Sequence, residues 1–194
     1  MNRLLPTIVC LWISLNIGNA QTRTAGVQGG VPASPTSKVD DQFALAFAAL
    51  SPLKISLKAV TAAPFRNQRS TSFADGMEKS YHEIIRILEL LDLPAELACR
   101  GSEHRLVDSK TPVDCAAARK IIKLAHEPRS GPLYVVGLGA ATNIASAILL
   151  DPTIQDRIVV VWIGGHPYHF DSALDFNLKQ DIAAAQCLFS SDTP

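Results

Sequence analysis

Two short apolar runs with a helical pattern between them do most to limit the folds open to this chain. Leu133 to Leu138 reads LYVVGL, and Ile158 to Ile163 reads IVVVWI. Between them, Thr142 to Leu150 has the composition of a buried helix. It stops at Asp151-Pro152, because the residue before a proline avoids helical dihedrals. Strand, helix and strand at this spacing require parallel pairing through a right-handed crossover. The run IVVVWI is apolar throughout, which predicts a central parallel strand covered on both faces.

The same alternation extends upstream to Val39. Phe43, Ala44, Phe47, Ala48 and Leu50 suggest a short helix opened by Asp40-Asp41, where carboxylates suit the positive end of the helix. Ser51-Pro52 ends it. Ile55 to Val60 alternates like a strand, and the polar stretch Arg66 to Asp75 reads as a loop. Met77, Tyr81, Ile84, Ile85, Leu88 and Leu91 fall at helical spacing and predict an amphipathic helix over Gly76 to Leu91. Asp114 is a candidate N-cap for a helix reaching Leu124 or His126, and Asp181 for a last helix through Phe189. The fold class is therefore α/β, a Rossmann-like, mostly parallel sheet flanked by helices. Ligands of such sheets bind beyond the C-terminal ends of the strands. That singles out the loops from Thr61 onward, Gly139 to Asn143, and Gly164 to Asn177.

Lys plus Arg and Asp plus Glu both number 18, so no basic stripe points to nucleic acid. The N-terminus has Arg3, an uncharged apolar stretch from Leu4 to Ile17, and the small residues Gly18 and Ala20. These features predict a signal peptide over residues 1–20, a secreted or periplasmic location, and no membrane attachment after cleavage. Residues 21–38, rich in Gly, Pro, Ser and Thr, read as a flexible linker, leaving 39–194 as the domain. Cys10 leaves with the leader. Cys99, Cys115 and Cys187 cannot all pair, so free thiols are expected, with Cys99–Cys115 the one bridge considered.

Three segments carry candidate chemistry. Asp40 and Asp41 are adjacent carboxylates whose mutual repulsion is relieved by a helix N-terminus or by a hard cation such as Ca²⁺ or Mg²⁺. Gly139-Ala140-Ala141-Thr142-Asn143 lacks the spacing of a phosphate-cradling loop and reads either as a ligand-facing turn or as a plain tight turn. Gly164-Gly165-His166 is followed by Asp175-Phe176-Asn177. There, His166 could meet a leaving group or only solvent. Asp175 and Asn177 share a side if the segment is extended, and could hold sugar hydroxyls.

Together, DDQFALA from Asp40, VTAAPFRNQRSTS, DGMEKSYHEI, LYVVGLGAATNIASAILLDP, IVVVWIGGH and DFNLKQDIAAAQCLF resemble, in order and spacing, the inosine-uridine preferring nucleoside hydrolase family. The pieces TAAPF, DGMEKSY and WIGGH are similar to its bacterial branch. The resemblance implies cleavage of the N-glycosidic bond of ribonucleosides to ribose and a free base, with Ca²⁺ as cofactor. It implies Asp41 as a metal ligand and Thr142 as a second through its backbone carbonyl. Asp40, Asn67, Asn177 and Asp175, which replaces the usual Glu, are implied as ribose contacts, and His166 as a substrate contact. The family's Asp-x-Asp, expected shortly before the pair, falls here on Pro32 and Ser34 or on Ser34 and Thr36, and no acid precedes Asp40. An incomplete nucleoside hydrolase fold is expected, lacking its first strand with the Asp-x-Asp. Also expected to be lacking is the C-terminal part of the site, where the family has a further Asp metal ligand and, in many members, a leaving-group His. Catalytic residues are unassigned and Ca²⁺ binding is expected to be weakened. The alternative function is a non-catalytic nucleoside- or sugar-binding remnant. The implied partner is a ribonucleoside, and a homo-oligomer is left open.

Overall fold

The computed structural model of the chain describes residues 8–13, 39–172 and 175–194. Five parallel strands form one sheet in the order β3-β2-β1-β4-β5. In chain order the elements are β1 (Ile8–Ile13), α1 (Val39–Ala49), β2 (Val60–Ala62), α2 (Phe73–Leu90), β3 (Ala98–Cys99), α3 (Ala116–His126), β4 (Leu133–Gly137), α4 (Thr142–Leu150), β5 (Ile158–Trp162), α5 (Phe176–Gln180) and α6 (Ile182–Phe189). The α/β class and parallel pairing expected from the sequence are both present. The linker, residues 21–38, lies outside the described residues.

The expectation of a missing first strand is corrected. Ile8–Ile13 forms the central strand, with Leu11 opposite Val60 on one side and opposite Val136 on the other. The segment lies inside the stretch read as a leader. Apolar, β-branched sequence suits a signal core and a buried parallel strand alike, because both environments exclude water.

The second correction concerns IVVVWI. Among the described strands β5 is the edge, not the centre. Val161 is 49% exposed, and the amide of Val160 donates to the carbonyl of Pro194 at 2.8 Å rather than to a further strand. An apolar run reports burial but not which neighbour supplies it, and here one neighbour is absent among the described residues.

Smaller differences have local causes. The strand expected over Ile55 to Val60 is hydrogen-bonded only from Val60, where Leu11 of β1 comes into register. Helix α2 begins at Phe73 because Ser72 caps it, accepting from the Asp75 amide at 3.0 Å, while the Asp75 carboxylate accepts from the Thr71 amide at 2.8 Å. Cys115, not Asp114, occupies the N-cap of α3. The Asp114 carboxylate instead accepts from Arg119 Nε at 2.6 Å. Helix α5 and the two-residue β3 are too short to leave a periodic signal in the sequence.

The helices cover both faces of the sheet. Leu133 and Val135 of β4 pack with Ile121 and Leu124 of α3 and with Ile144 and Ile148 of α4. Val136 and Leu138 turn to the other face, toward Leu45 of α1 and Met77, Ile84 and Leu88 of α2. This alternation is the period of two that a strand imposes. Buried Glu83 joins the helices of the second face. It accepts from Gln42 Nε2 at 2.6 Å and from Arg86 Nε at 3.1 Å. No helix among the described residues is long and apolar enough to cross a membrane.

Cys99, Cys115 and Cys187 are free thiols, so the considered Cys99–Cys115 bridge is not formed. Burial pushes the Cys115 thiol up to about 11. At pH 8, only roughly one Cys115 in a thousand is then the reactive thiolate. Alkylation of the folded protein with iodoacetamide at that pH is expected to leave Cys115 unlabelled, and to label it fully in denaturant. Mass spectrometry of the peptide holding Cys115 reads the difference.

Candidate functional site

The sheet order places the site. From β1 the chain steps to β2 and β3 on one side, and β4 and β5 lie on the other. The order therefore reverses between β1 and β4, and a crevice opens at such a switch point beyond the strands' C-terminal ends. A helix joining two parallel strands runs back along them, so α1 brings its N-terminus to this edge. Helix α4, which follows β4, starts there.

Asp40 and Asp41 lie in the first turn of α1. The side chain of Asp40 lies outside the described residues. Asp41 is 5% exposed and shares the inner face of α1 with Leu45 and Ala48, at helical spacings of four and seven. Leu45 packs on Leu138, just past β4, so this face of α1 stands over the end of β4.

Asn67 follows β2. Its backbone N–H donates to Ser70 Oγ at 2.8 Å, and its Oδ1 accepts from the Arg69 amide at 2.8 Å. The carbonyl oxygen is thereby engaged. Asn67 Nδ2 is buried with no hydrogen-bond partner among the described residues. Beside it, the Arg66 amide donates to Gln180 Oε1 of α5 at 2.7 Å. Strands β2 and β5 flank the β1–β4 pair, so this bond joins the segments after them on the C-terminal side of the switch point.

Asn177 holds a different position from the one expected. Asp175 and Asn177 are not extended: Asp175 caps α5, accepting from the Leu178 amide at 2.8 Å, and Asn177 lies within the helix. Asn177 Nδ2 donates to Leu138 O at 3.0 Å and to Ile163 O at 2.8 Å. One amide group thus ties together the C-terminal ends of β4 and β5. Asn177 Oδ1 is buried without a partner among the described residues, as is Thr61 Oγ1 at the end of β2. Orphaned buried polar atoms are rare in folded chains, and each calls for a water, an ion, strain or a functional role to explain it.

Thr142 and Asn143 are engaged in the fold. Thr142 Oγ1 donates to Asp181 Oδ2 at 2.7 Å, and that oxygen also accepts from the Leu106 amide at 2.9 Å. Asp181 Oδ1 accepts from the Ala184 amide at 3.0 Å, capping α6 as the sequence suggests. Asn143 Nδ2 donates to Ala62 O at 2.9 Å, and its Oδ1 accepts from the Ser102 amide at 2.8 Å. Gly101 lets that approach happen, because a Cβ there would sit 1.8 Å from Ala62 O. His166 stands on an exposed loop, with Nδ1 2.7 Å from Ser172 O and its ring 5.1 Å from that of Phe170. The structure thus groups Asp41, Asn67 and Asn177 at the C-terminal edge. It leaves His166 in solvent and gives Asp175 and the Thr142 hydroxyl structural bonds.

Sequence reasoning overlooked Thr61 and Gln180. For Thr61 a signal existed, a hydroxyl within an otherwise apolar strand end. Gln180 offered none, since its partner lies far off in sequence. Among the described residues, no group of three or more His, Cys, Asp or Glu side chains is placed to hold a metal ion. The described residues do not by themselves make a calcium site.

Comparison with known proteins bears on the family and the fold. The model of the inosine-uridine preferring nucleoside hydrolase family matches residues 36–194. The inosine-uridine preferring nucleoside hydrolases of Leishmania major and Crithidia fasciculata are each 37% identical over 70 residues, which is 34% of this chain and 22% of theirs. The matched part thus spans under a quarter of those relatives. A purine-preferring ribonucleoside hydrolase from Gardnerella vaginalis superposes with a TM-score of 0.67 at 20% identity, over 97% of this chain and 58% of that one. A plant nucleoside hydrolase gives 0.63 at 18% identity, over 95% and 57%. At these identities the superpositions establish a shared fold. With the family match over residues 36–194 and a site edge at the switch point of that fold, the chain belongs to the inosine-uridine preferring nucleoside hydrolase family.

Proposed function

We propose that this chain binds a ribonucleoside at the C-terminal edge of the sheet and hydrolyses its N-glycosidic bond, releasing ribose and the base. The observation that carries the reading is the set of buried, incompletely bonded polar atoms there: Thr61 Oγ1, Asn67 Nδ2 and Asn177 Oδ1. They offer an acceptor, a donor and a hydroxyl that is both, which suits a polyhydroxylated sugar. Asp41, on the inner face of the first turn of α1, adds a carboxylate that accepts a ribose hydroxyl or a water proton. In the reaction, water adds to the anomeric carbon and the carbon–nitrogen bond breaks. Its electron pair leaves with the base, which takes up a proton. A carboxylate at the water accepts the proton released there. The cofactor proposed by resemblance is Ca²⁺. The described residues do not assemble its ligand set.

Purified full-length chain with inosine or uridine, with and without Ca²⁺, tests the proposal. Free base is expected, falling about 100-fold or more in Asp41→Ala. A different observation favours the second reading, a non-catalytic sugar-binding remnant: Asp175 uses its carboxylate to cap α5. A raised Tm with inosine and no free base would establish that reading instead. A secreted or periplasmic location is a separate proposal that rests on the leader-like composition of residues 1–20.

A further inference from the structure

We propose that the cleft between the loop after β2 and helix α5 binds an anionic, phosphate-bearing group. The cleft, of about 570 Å³, is lined by the polar or charged residues Arg66, Asn67, Gln68, Arg105, Lys179 and Gln180 and by the ring of Phe73. Three of these side chains carry a positive charge and none carries a negative one. Lys79, Arg86, Arg100 and Arg119 are each paired with a carboxylate. Several other described cations, such as Lys54 and Lys110, are not, so it is convergence on one cleft that sets these three apart. No described carboxylate lies within ion-pair distance of Arg66, Arg105 or Lys179. The neutral groups point the same way chemically. Asn67 Oδ1 is taken by the Arg69 amide and Gln180 Oε1 by the Arg66 amide. These two amides have their oxygens engaged, whereas exposed Gln68 offers both a donor and an acceptor. Asn67 Nδ2 is a buried donor without a partner among the described residues. Arg105 is steadied by Phe73, its guanidinium carbon 5.7 Å from the ring centroid.

A cleft rich in donors, with three cations that no described carboxylate pairs, suits a group made of acceptors. A phosphate presents several charged oxygens, and guanidinium groups meet it through paired N–H bonds. A neutral nucleoside would leave those charges uncompensated. Asn67 belongs both to this cleft and to the edge where the sugar is placed, so the ligand class is a riboside carrying a phosphate. That last step rests on the ribonucleoside reading, whereas the anion site does not.

Calorimetric titration of the full chain at low salt with inosine 5′-monophosphate, inosine and inorganic phosphate tests it. The double variant Arg105→Gln/Lys179→Gln removes two exposed charges and should keep the wild-type circular dichroism and Tm. Inosine 5′-monophosphate is expected to bind at least ~10-fold tighter than inosine, with the advantage lost in the variant and weakened by salt. Phosphate binding as tight as the nucleotide's would assign the site to a free anion and remove its riboside. Equal binding of nucleotide and nucleoside with no phosphate binding, or a preference unchanged in the variant, overturns the proposal. Phosphate binding without any inosine binding leaves the anion site standing and sinks the nucleoside reading, so the two failures are distinct.

Discussion

Leu11→Pro, or removal of residues 1–20, is expected to abolish the cooperative thermal unfolding of the protein. Leu11 pairs with Val60 on one side and Val136 on the other. Proline removes the backbone donor of a strand flanked on both sides, where it is essentially never accommodated. Removing the segment takes away the only described strand between β2 and β4, leaving both with unpaired backbone groups facing a gap. A domain of this size is held by only about 5–15 kcal/mol in total, and losing a central strand exceeds that margin. Far-UV circular dichroism during heating reads the result. A sharp transition in the shortened chain, like that of the full chain, would show that Ile8–Ile13 is dispensable. The same experiment bears on the leader reading, because one segment cannot be both removed and central. Intact mass of protein recovered from cells should begin at Met1 or Asn2 if the strand is retained, and at Gln21 if residues 1–20 are cleaved.

Asp181→Ala is expected to destabilise the protein by about 3–5 kcal/mol, the range for breaking a buried, hydrogen-bonded charge network. Asp181 is 1% exposed. Its two oxygens take the Thr142 hydroxyl and the amides of Leu106 and Ala184, so it joins the loop after β3, the first turn of α4 and the start of α6. Alanine leaves these donors buried and unmatched. For a chain of this length the loss corresponds to a Tm lower by roughly 10–15 °C. Asp156→Ala, at an exposed position, should leave Tm nearly unchanged. Thr142→Val removes one donor and keeps the carboxylate, so it should cost roughly 1.5–3 kcal/mol. A fall of only a degree or two in Asp181→Ala would mean that this carboxylate caps α6 and does little else.

Several elements were legible because their signals are local. Helix α4 begins and ends where the sequence places it, between Thr142 and Asp151-Pro152. The spacing of Met77, Ile84 and Leu88 predicts the buried face of α2, and all three lie in its core. The family match over residues 36–194 agrees with the quoted run of segments, which depends on order and spacing rather than on contacts.

Other features depended on partners distant in the chain. The place of Asn177 in DFN predicts a sugar contact, for which its Oδ1 remains available, whereas the bonds of its Nδ2 to Leu138 O and Ile163 O exist only because α5 folds over two strand ends. The cationic cleft combines loops separated by more than a hundred positions, and no window of sequence displays it. The sequence by itself determined the α/β class, most of the helices and the family, because periodicity, caps and proline stops act over a few residues. Only the tertiary structure decided that a leader-like stretch is the central strand, that the most apolar run is an edge, and which polar atoms remain unmatched at the strand ends. Strand order and hydrogen-bond satisfaction are set by neighbours brought together from distant parts of the chain.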